Sequence, residues 1–212
     1  MAKESNFKNM VVALFAITFV ASASLGVVNE FTKGPIEKAN IDAQNKAIAD
    51  VLPAFEKLGK SYKVLPEGET DTLELFPALD KDSVTIATAV KSYSKKGFAG
   101  LFTVMVGISA DGTITGYHIL EHHETPGLGS KMALWFSNKD KPGQSIIGKK
   151  PGSDNLTVTK DGGSVDAITA ATISSRAFLE SVQRAYKALK SHSNPKNSGA
   201  IQNGATKEGA NS

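Results

Sequence analysis

The residues best suited to chemistry are hydroxyl side chains in residues 166–175, Asp-Ala-Ile-Thr-Ala-Ala-Thr-Ile-Ser-Ser. Apolar residues recur after this stretch at helical spacing: Phe178, Val182, Ala185 and Leu189. The pattern therefore predicts a loop that delivers Thr169 and Thr172 to the start of a helix. The first turn of a helix has unpaired N–H donors and a partial positive charge, which suits it to hold an anion such as phosphate. The alternative is that Thr169, Thr172 and Ser174 only cap the helix.

Two stretches of the sequence carry motifs of a known family. Residues 166–172 resemble the flavinylation motif of the FMN-binding domain family, Asp-x-x-(Ser/Thr)-Gly-Ala-Thr, and residues 124–129 match its Glu-Thr-Pro-Gly-Leu-Gly motif in full. The one departure is Ala170, where the family usually has glycine, and alanine tolerates a positive φ poorly. The resemblance implies that Thr172 carries FMN through a phosphoester. The other residues of this half of the implied cofactor site are Thr169, Ala170 and Ala171.

Residues 124–129 are expected to form the second half of the flavin site. A proline makes such a loop rigid, and its glycines let a ligand approach the backbone. Leu128 can contact one face of the flavin ring, and the N–H groups of Gly127 and Gly129 can reach its polar edge. Thr125 can donate a hydrogen bond to the ring or the ribityl chain. Glu124 has two interpretations: its carboxylate shapes the flavin environment, or it accepts hydrogen bonds from nearby amides of the turn.

Downstream of this loop, a lysine-rich segment offers candidate partners for the phosphate. Lys149 and Lys150 are the two candidates, although lysines in such loops are usually just solvated. No group of histidines and carboxylates has the spacing of a metal site, so we expect no metal.

Composition narrows the function classes further. The chain of 212 residues has a net charge of +3 with scattered lysines, so nothing favours nucleic-acid binding. It contains no cysteine, which excludes disulfides and thiolate-bound iron–sulfur clusters. If the protein moves electrons, its carrier must be of another kind.

The N-terminal region predicts a membrane anchor. Met10 to Val28 is an uncharged run of 19 residues, which as a helix spans roughly 28 Å, close to the hydrocarbon thickness of a bilayer. A cleaved signal peptide is the competing interpretation, because residues 21–23 are Ala-Ser-Ala. Lys3 and Lys8 precede the run and predict a cytoplasmic N-terminus. The rest of the chain would then lie outside the cytoplasm, on the periplasmic side of a bacterial inner membrane.

The remaining elements predict an α+β fold, in which an antiparallel sheet with flanking helices follows the transmembrane helix. Gly34-Pro35 is expected to start a helix that ends near Pro53, and residues 65–82 are expected to form a loop with a short strand. From Val84 onward alternating residues predict strands, with a hairpin at Asp111-Gly112. The predicted divisions are residues 1–9 (cytoplasmic), 10–28 (transmembrane), 29–83 (stalk helix and loop), 84–190 (FMN-binding domain) and 191–212 (disordered tail).

Within the FMN-binding domain family, the chain resembles the G subunit of the Rnf complex, which passes electrons between ferredoxin and NAD and couples that flow to ion movement. The alternatives are the C subunit of the sodium-translocating NADH:quinone reductase, a cofactor-free, membrane-anchored binding domain, and a redox-sensing flavin domain that regulates a partner. The resemblance implies an electron relay that is not catalytic alone. Its implied partners are the lipid bilayer, the other membrane, flavin and iron–sulfur subunits of the complex, and a flavin transferase that attaches FMN.

Overall fold

The computed structural model describes residues 7–193 and has an α+β architecture with one long N-terminal helix. The predicted residues 1–6 of the cytoplasmic N-terminus, and residues 194–212 of the predicted tail, lie outside this described part. Its helices and strands are α1 (Phe7–Val51), β1 (Lys57–Leu58), β2 (Tyr62–Val64), β3 (Leu73–Leu79), β4 (Thr85–Gly97), β5 (Gly100–Ser109), β6 (Ile114–Glu121), α2 (Met132–Trp135) and α3 (Thr172–Ser193).

The strands form one antiparallel sheet in the order β1-β3-β4-β5-β6, with β2 also paired to β3. The long β4–β5 hairpin is its centre, and the middle of both strands is buried on both faces. Val90 and Val106 belong to one hydrophobic core, and Ala89 and Met105 on the opposite face belong to the other. The predicted hairpin at Asp111-Gly112 is present between β5 and β6. Gly112 has a φ of +88°, which the turn requires and glycine adopts readily.

Helix α3 packs on one face of the sheet and forms the larger core with it. The helical spacing that the sequence shows after residue 175 places Phe178, Val182 and Ala185 in this core. Phe178 stacks on Phe136 with ring centroids 4.3 Å apart. Since α3 is fixed along its buried side, its first residue, Thr172, has a defined position relative to the sheet.

Helix α1 contributes to two compact units of the chain, and the boundary between them falls between Ala43 and Gln44. In the first unit every described side chain is exposed, although residues 10–28 are apolar. By length and composition, α1 is the one helix of the described chain that is able to cross a membrane. In the second unit the end of α1 packs into a smaller core through Ala47, Ile48 and Val51.

Three predicted elements differ from the structure. Gly34-Pro35 does not start a new helix, because α1 continues through Pro35 to Val51. Residues 65–82 contain the seven-residue strand β3, so the sheet begins before the predicted boundary at Val84. The proline inside β3, Pro77, obscured the strand pattern in the sequence. The sequence also predicts a short strand from Leu156 to Thr159, and the structure has only a single bridge there, between Val158 and Val165.

Candidate functional site

Thr172 is the first residue of α3, as the sequence predicts. The loop before it is held by Ser175, whose hydroxyl accepts a hydrogen bond from the Ile168 N–H (2.9 Å) and donates one to the Ala171 carbonyl (2.9 Å). The Thr172 hydroxyl makes no such bond within the described chain; its oxygen accepts a hydrogen bond from Lys160 Nζ at 3.4 Å. Since its hydroxyl accepts no hydrogen bond from the helix backbone, Thr172 does not cap the helix. The residue is half-exposed. Its hydroxyl is accessible for chemistry.

Ala170 has a φ of +62°, in the left-handed region that favours glycine. A glycine, which the family usually has at this position, adopts this backbone conformation without steric cost. The chain turns sharply at Ala170 to enter α3. The substitution of alanine for glycine has kept the loop geometry at a cost in backbone strain.

Glu124 connects the loop at residues 124–129 to the start of α3. Its side chain is only 5% exposed, and its Oε2 accepts a hydrogen bond from the Ser174 hydroxyl at 2.8 Å. Its Oε1 lies 3.5 Å from the N–H of Ala99, in the turn between β4 and β5. A Cβ at either Gly97 or Gly129 would collide with this carboxylate, so the two glycines make room for it.

The contacts of Glu124 bear on both of its interpretations. Its carboxylate does not accept hydrogen bonds from the amides of its own turn. That turn is closed instead by the Leu128 N–H on the Thr125 carbonyl and by the Gly127 N–H on the Ser130 hydroxyl. Glu124 joins three separate elements, and it also lines the cavity described next.

A cavity of about 320 Å³ lies between the loop, the hairpin turn and the start of α3. Seven of the nine predicted cofactor residues line it: Glu124, Thr125, Leu128, Gly129, Ala170, Ala171 and Thr172. Thr169 and Gly127 do not line it. The structure thus brings the two motifs together, although their assignment to flavin binding stays a prediction.

Three further residues line the cavity that the motifs did not indicate: Phe98, Ile173 and Ser174. Phe98 is 68% exposed at the tip of the β4–β5 hairpin. The two glycines that flank this turn, Gly97 and Gly100, were the available signal. An exposed phenylalanine beside a cavity is suited to contact a planar ring.

The cavity fits the parts of FMN. Its walls carry apolar groups from Phe98, Leu128 and Ile173, which suit an aromatic ring system. At another point Thr172 presents a hydroxyl at a helix N-terminus, which suits a phosphate. Lys149 and Lys150, which the sequence suggested as partners of the phosphate, have other partners in the structure. Lys149 Nζ donates a hydrogen bond to Ser164, and Lys150 Nζ forms an ion pair with Asp111.

The fold, with both motifs around one cavity, is typical of FMN-binding domains. Comparison with protein families gives the same class. The pattern of the FMN-binding domain family matches residues 97–187, which include the hairpin turn, the loop and Thr172. A crystal structure of NqrC from Shewanella oneidensis superposes with a TM-score of 0.42 at 20% identity, over 61% of this chain and 66% of that one. That likeness is too distant to support any statement about the site.

Relatives that align with most of this chain define a narrower family within this class. The G subunit of the ion-translocating oxidoreductase complex of Erwinia tasmaniensis is 33% identical over 82% of this chain and 85% of its own length. The protein of the same name from Escherichia coli K12 is 33% identical over 87% and 91% of the two chains. The G subunit of the Na(+)-translocating ferredoxin:NAD(+) oxidoreductase complex of Acetobacterium woodii is 32% identical over 80% and 84%. The chain therefore belongs to the family of G subunits of ion-translocating oxidoreductase complexes.

Proposed function

We propose that this chain is an electron-transfer subunit of a membrane-bound, ion-translocating ferredoxin:NAD oxidoreductase complex and that it carries FMN covalently on Thr172. The observation that carries the proposal is the single cavity lined by both Thr172 and the loop at residues 124–129. Thr172 lies more than forty residues after this loop in the sequence. Their convergence on one apolar cavity is what a flavin site requires and what a cofactor-free binding domain does not.

The residues on the two sides of the cavity have different roles in this proposal. The Thr172 hydroxyl provides the oxygen of the phosphoester, and the N-terminus of α3 stabilises the negative charge of the phosphate. Leu128 and Phe98 contact the ring and keep water from it. FMN, when bound, supplies a group that takes up and releases electrons. The protein provides retention and orientation, and the reactions at ferredoxin and NAD belong to other subunits.

The N-terminal helix supplies the membrane attachment in this proposal. Residues 10–28 of α1 are apolar and exposed, so a bilayer is the environment that would bury them. Basic residues before this span favour a cytoplasmic N-terminus, which would leave the flavin domain on the periplasmic side. A flavin outside the cytoplasm cannot be replaced easily after dissociation. A covalent linkage prevents this loss.

Expression of the full chain with and without a flavin transferase tests the proposal. On a denaturing gel, the band from the co-expression should fluoresce under ultraviolet light, and the band without transferase should not. A dark band in both lanes would favour the cofactor-free binding domain.

The orientation is tested separately. Protease added outside spheroplasts should degrade the flavin domain while the membrane remains intact. Protection that is lost only after lysis would place the domain in the cytoplasm and would contradict the proposed location.

A further inference from the structure

A short helical turn beside α3 places one lysine at the candidate attachment site. Residues Thr159–Asp161 form a 3-10 turn, and Asp161 accepts two hydrogen bonds from Arg176 in the first turns of α3, at 2.7 Å and 2.8 Å. These hydrogen bonds lower the pKa of Asp161 below its ordinary value. The bidentate pair holds the turn against the helix. Lys160, which lies next to Asp161, is thereby kept close to Thr172.

The contact of Lys160 differs from those of the neighbouring cations. Its Nζ donates to Thr172 Oγ1 at 3.4 Å, and no carboxylate in residues 7–193 lies within salt-bridge distance of it. Arg176 is engaged with Asp161, and Lys150 is paired with Asp111. Lys160 is thus a cation whose partner is a neutral oxygen at the N-terminus of a helix. The positive charge at this point lacks a compensating anion.

We propose that Lys160 binds the phosphate that becomes attached to Thr172, both during the transfer and in the loaded protein. This inference rests on the proposed function. A phosphodiester carries one negative charge, and its phosphorus is bonded to the same oxygen that Lys160 contacts. The lysine therefore supplies a charge-assisted hydrogen bond that adds to the partial charge of the helix N-terminus.

The transfer itself balances with a flavin dinucleotide as donor. The Thr172 oxygen attacks the phosphorus on the flavin side of the diphosphate, so that a new O–P bond forms and the P–O–P bridge breaks. A nucleoside monophosphate leaves, and the threonine proton passes to solvent or to a base of the transferase. Nothing is oxidised or reduced. Lys160 stabilises negative charge that builds on the phosphoryl oxygens during the attack.

The test uses the full-length chain, a flavin transferase and FAD as the donor. The rate of flavin attachment is followed by gel fluorescence and intact mass for the parent chain and for Lys160→Gln, Lys160→Glu and Lys160→Arg. We expect about a ten-fold slower transfer for Lys160→Gln, a larger loss for Lys160→Glu and near-parental rates for Lys160→Arg. Raising the salt concentration should slow the parent more than Lys160→Gln, because salt screens the lysine.

Two controls separate the possible failures. Lys149→Gln removes a nearby lysine that contacts Ser164 instead, and it should transfer at the parental rate. In fully loaded protein, the phosphorus-31 NMR resonance of the phosphodiester should shift in Lys160→Gln and stay unchanged in Lys149→Gln. If the parent never acquires flavin, the proposed function fails. If the parent is loaded but Lys160→Gln matches it in rate, salt dependence and resonance, the inference about Lys160 is wrong and the function stands.

Discussion

The two sides of the cavity are built differently. The attachment wall, residues 170–174, begins a long buried helix, and the loop before it is held by the Ser175 hydroxyl and by a hydrogen bond from Trp135 Nε1 to the Asp166 carbonyl at 2.8 Å. The contact wall, residues 124–129, is exposed from Thr125 to Leu128. The structure thus separates a rigid element that can fix a group in place from an exposed element that can adjust its surroundings. Attachment and flavin environment should therefore respond to different substitutions.

The largest effect is expected on the attachment wall. Thr172→Ala should abolish covalent flavin because the acceptor oxygen is removed. It should leave the fold intact, since the hydroxyl contacts only the exposed Lys160. Thr169→Ala is the matched control and should still load with flavin. Fluorescence of denatured gel bands measures both. Normal loading of Thr172→Ala would mean that the attachment wall has been misidentified.

The next largest effect is expected where the two walls meet. Glu124→Ala should lower the free energy of unfolding by about 1–3 kcal/mol, because it leaves the buried Ser174 hydroxyl without its partner. Thermal unfolding of detergent-solubilised protein measures the change. Glu121→Ala, on an exposed side chain, should stay within about 0.5 kcal/mol of the parent. Equal stability of the two variants would show that Glu124 does not join the walls.

On the contact wall, substitution should change the flavin and spare its attachment. Leu128→Ala should keep covalent FMN but shift its absorbance and potential and slow electron transfer, because water would reach the ring. Leu134→Ala removes an equally large side chain that is 78% exposed and does not line the cavity, so it should change none of these. If the spectrum, potential and transfer rate of Leu128→Ala equal those of the parent, the loop does not contact the flavin. It would then be a surface for another protein of the complex.

The smallest effect concerns backbone strain. Ala170→Gly should stabilise the protein by about 0.5–1 kcal/mol, because glycine adopts the φ of +62° without steric cost. Ser83→Gly is the control variant. Among the described residues that are not glycine, Ser83 and Ala170 are the two with a positive φ, and Ser83 (61°) lies far along the chain from the site. Thermal unfolding should show a gain for both variants. Only Ala170→Gly should also change the rate of flavin attachment.

The sequence predicted the α+β fold correctly, and the residues of its two motifs lie around one cavity, whose assignment to flavin stays a prediction. Short motifs identify residues by type and spacing, so Thr172 and Glu124 were found without knowledge of their neighbours. The sequence predicted only a short strand within residues 65–82, where the structure has the seven-residue β3 with Pro77 inside it, and it did not predict that α1 continues through Pro35. Both depend on tertiary packing, which overrides local propensity.

Two further residues, one at the cavity and one beside Thr172, were missed for a similar reason. Phe98 lines the cavity from the tip of the β4–β5 hairpin, and Lys160 reaches Thr172 through a turn held by the Asp161–Arg176 pair. Neither belongs to a motif. Their proximity to Thr172 arises from contacts between elements that are distant or irregular in sequence.

The central claim is that Thr172 is the attachment residue, and peptide mapping tests it most directly. The full-length chain is co-expressed with a flavin transferase and digested, and the flavin-bearing peptide is sequenced by tandem mass spectrometry. The account predicts one modified peptide, with the FMN phosphate on Thr172. A flavin found on Thr169 or on any other residue, or a chain that carries none, would contradict it.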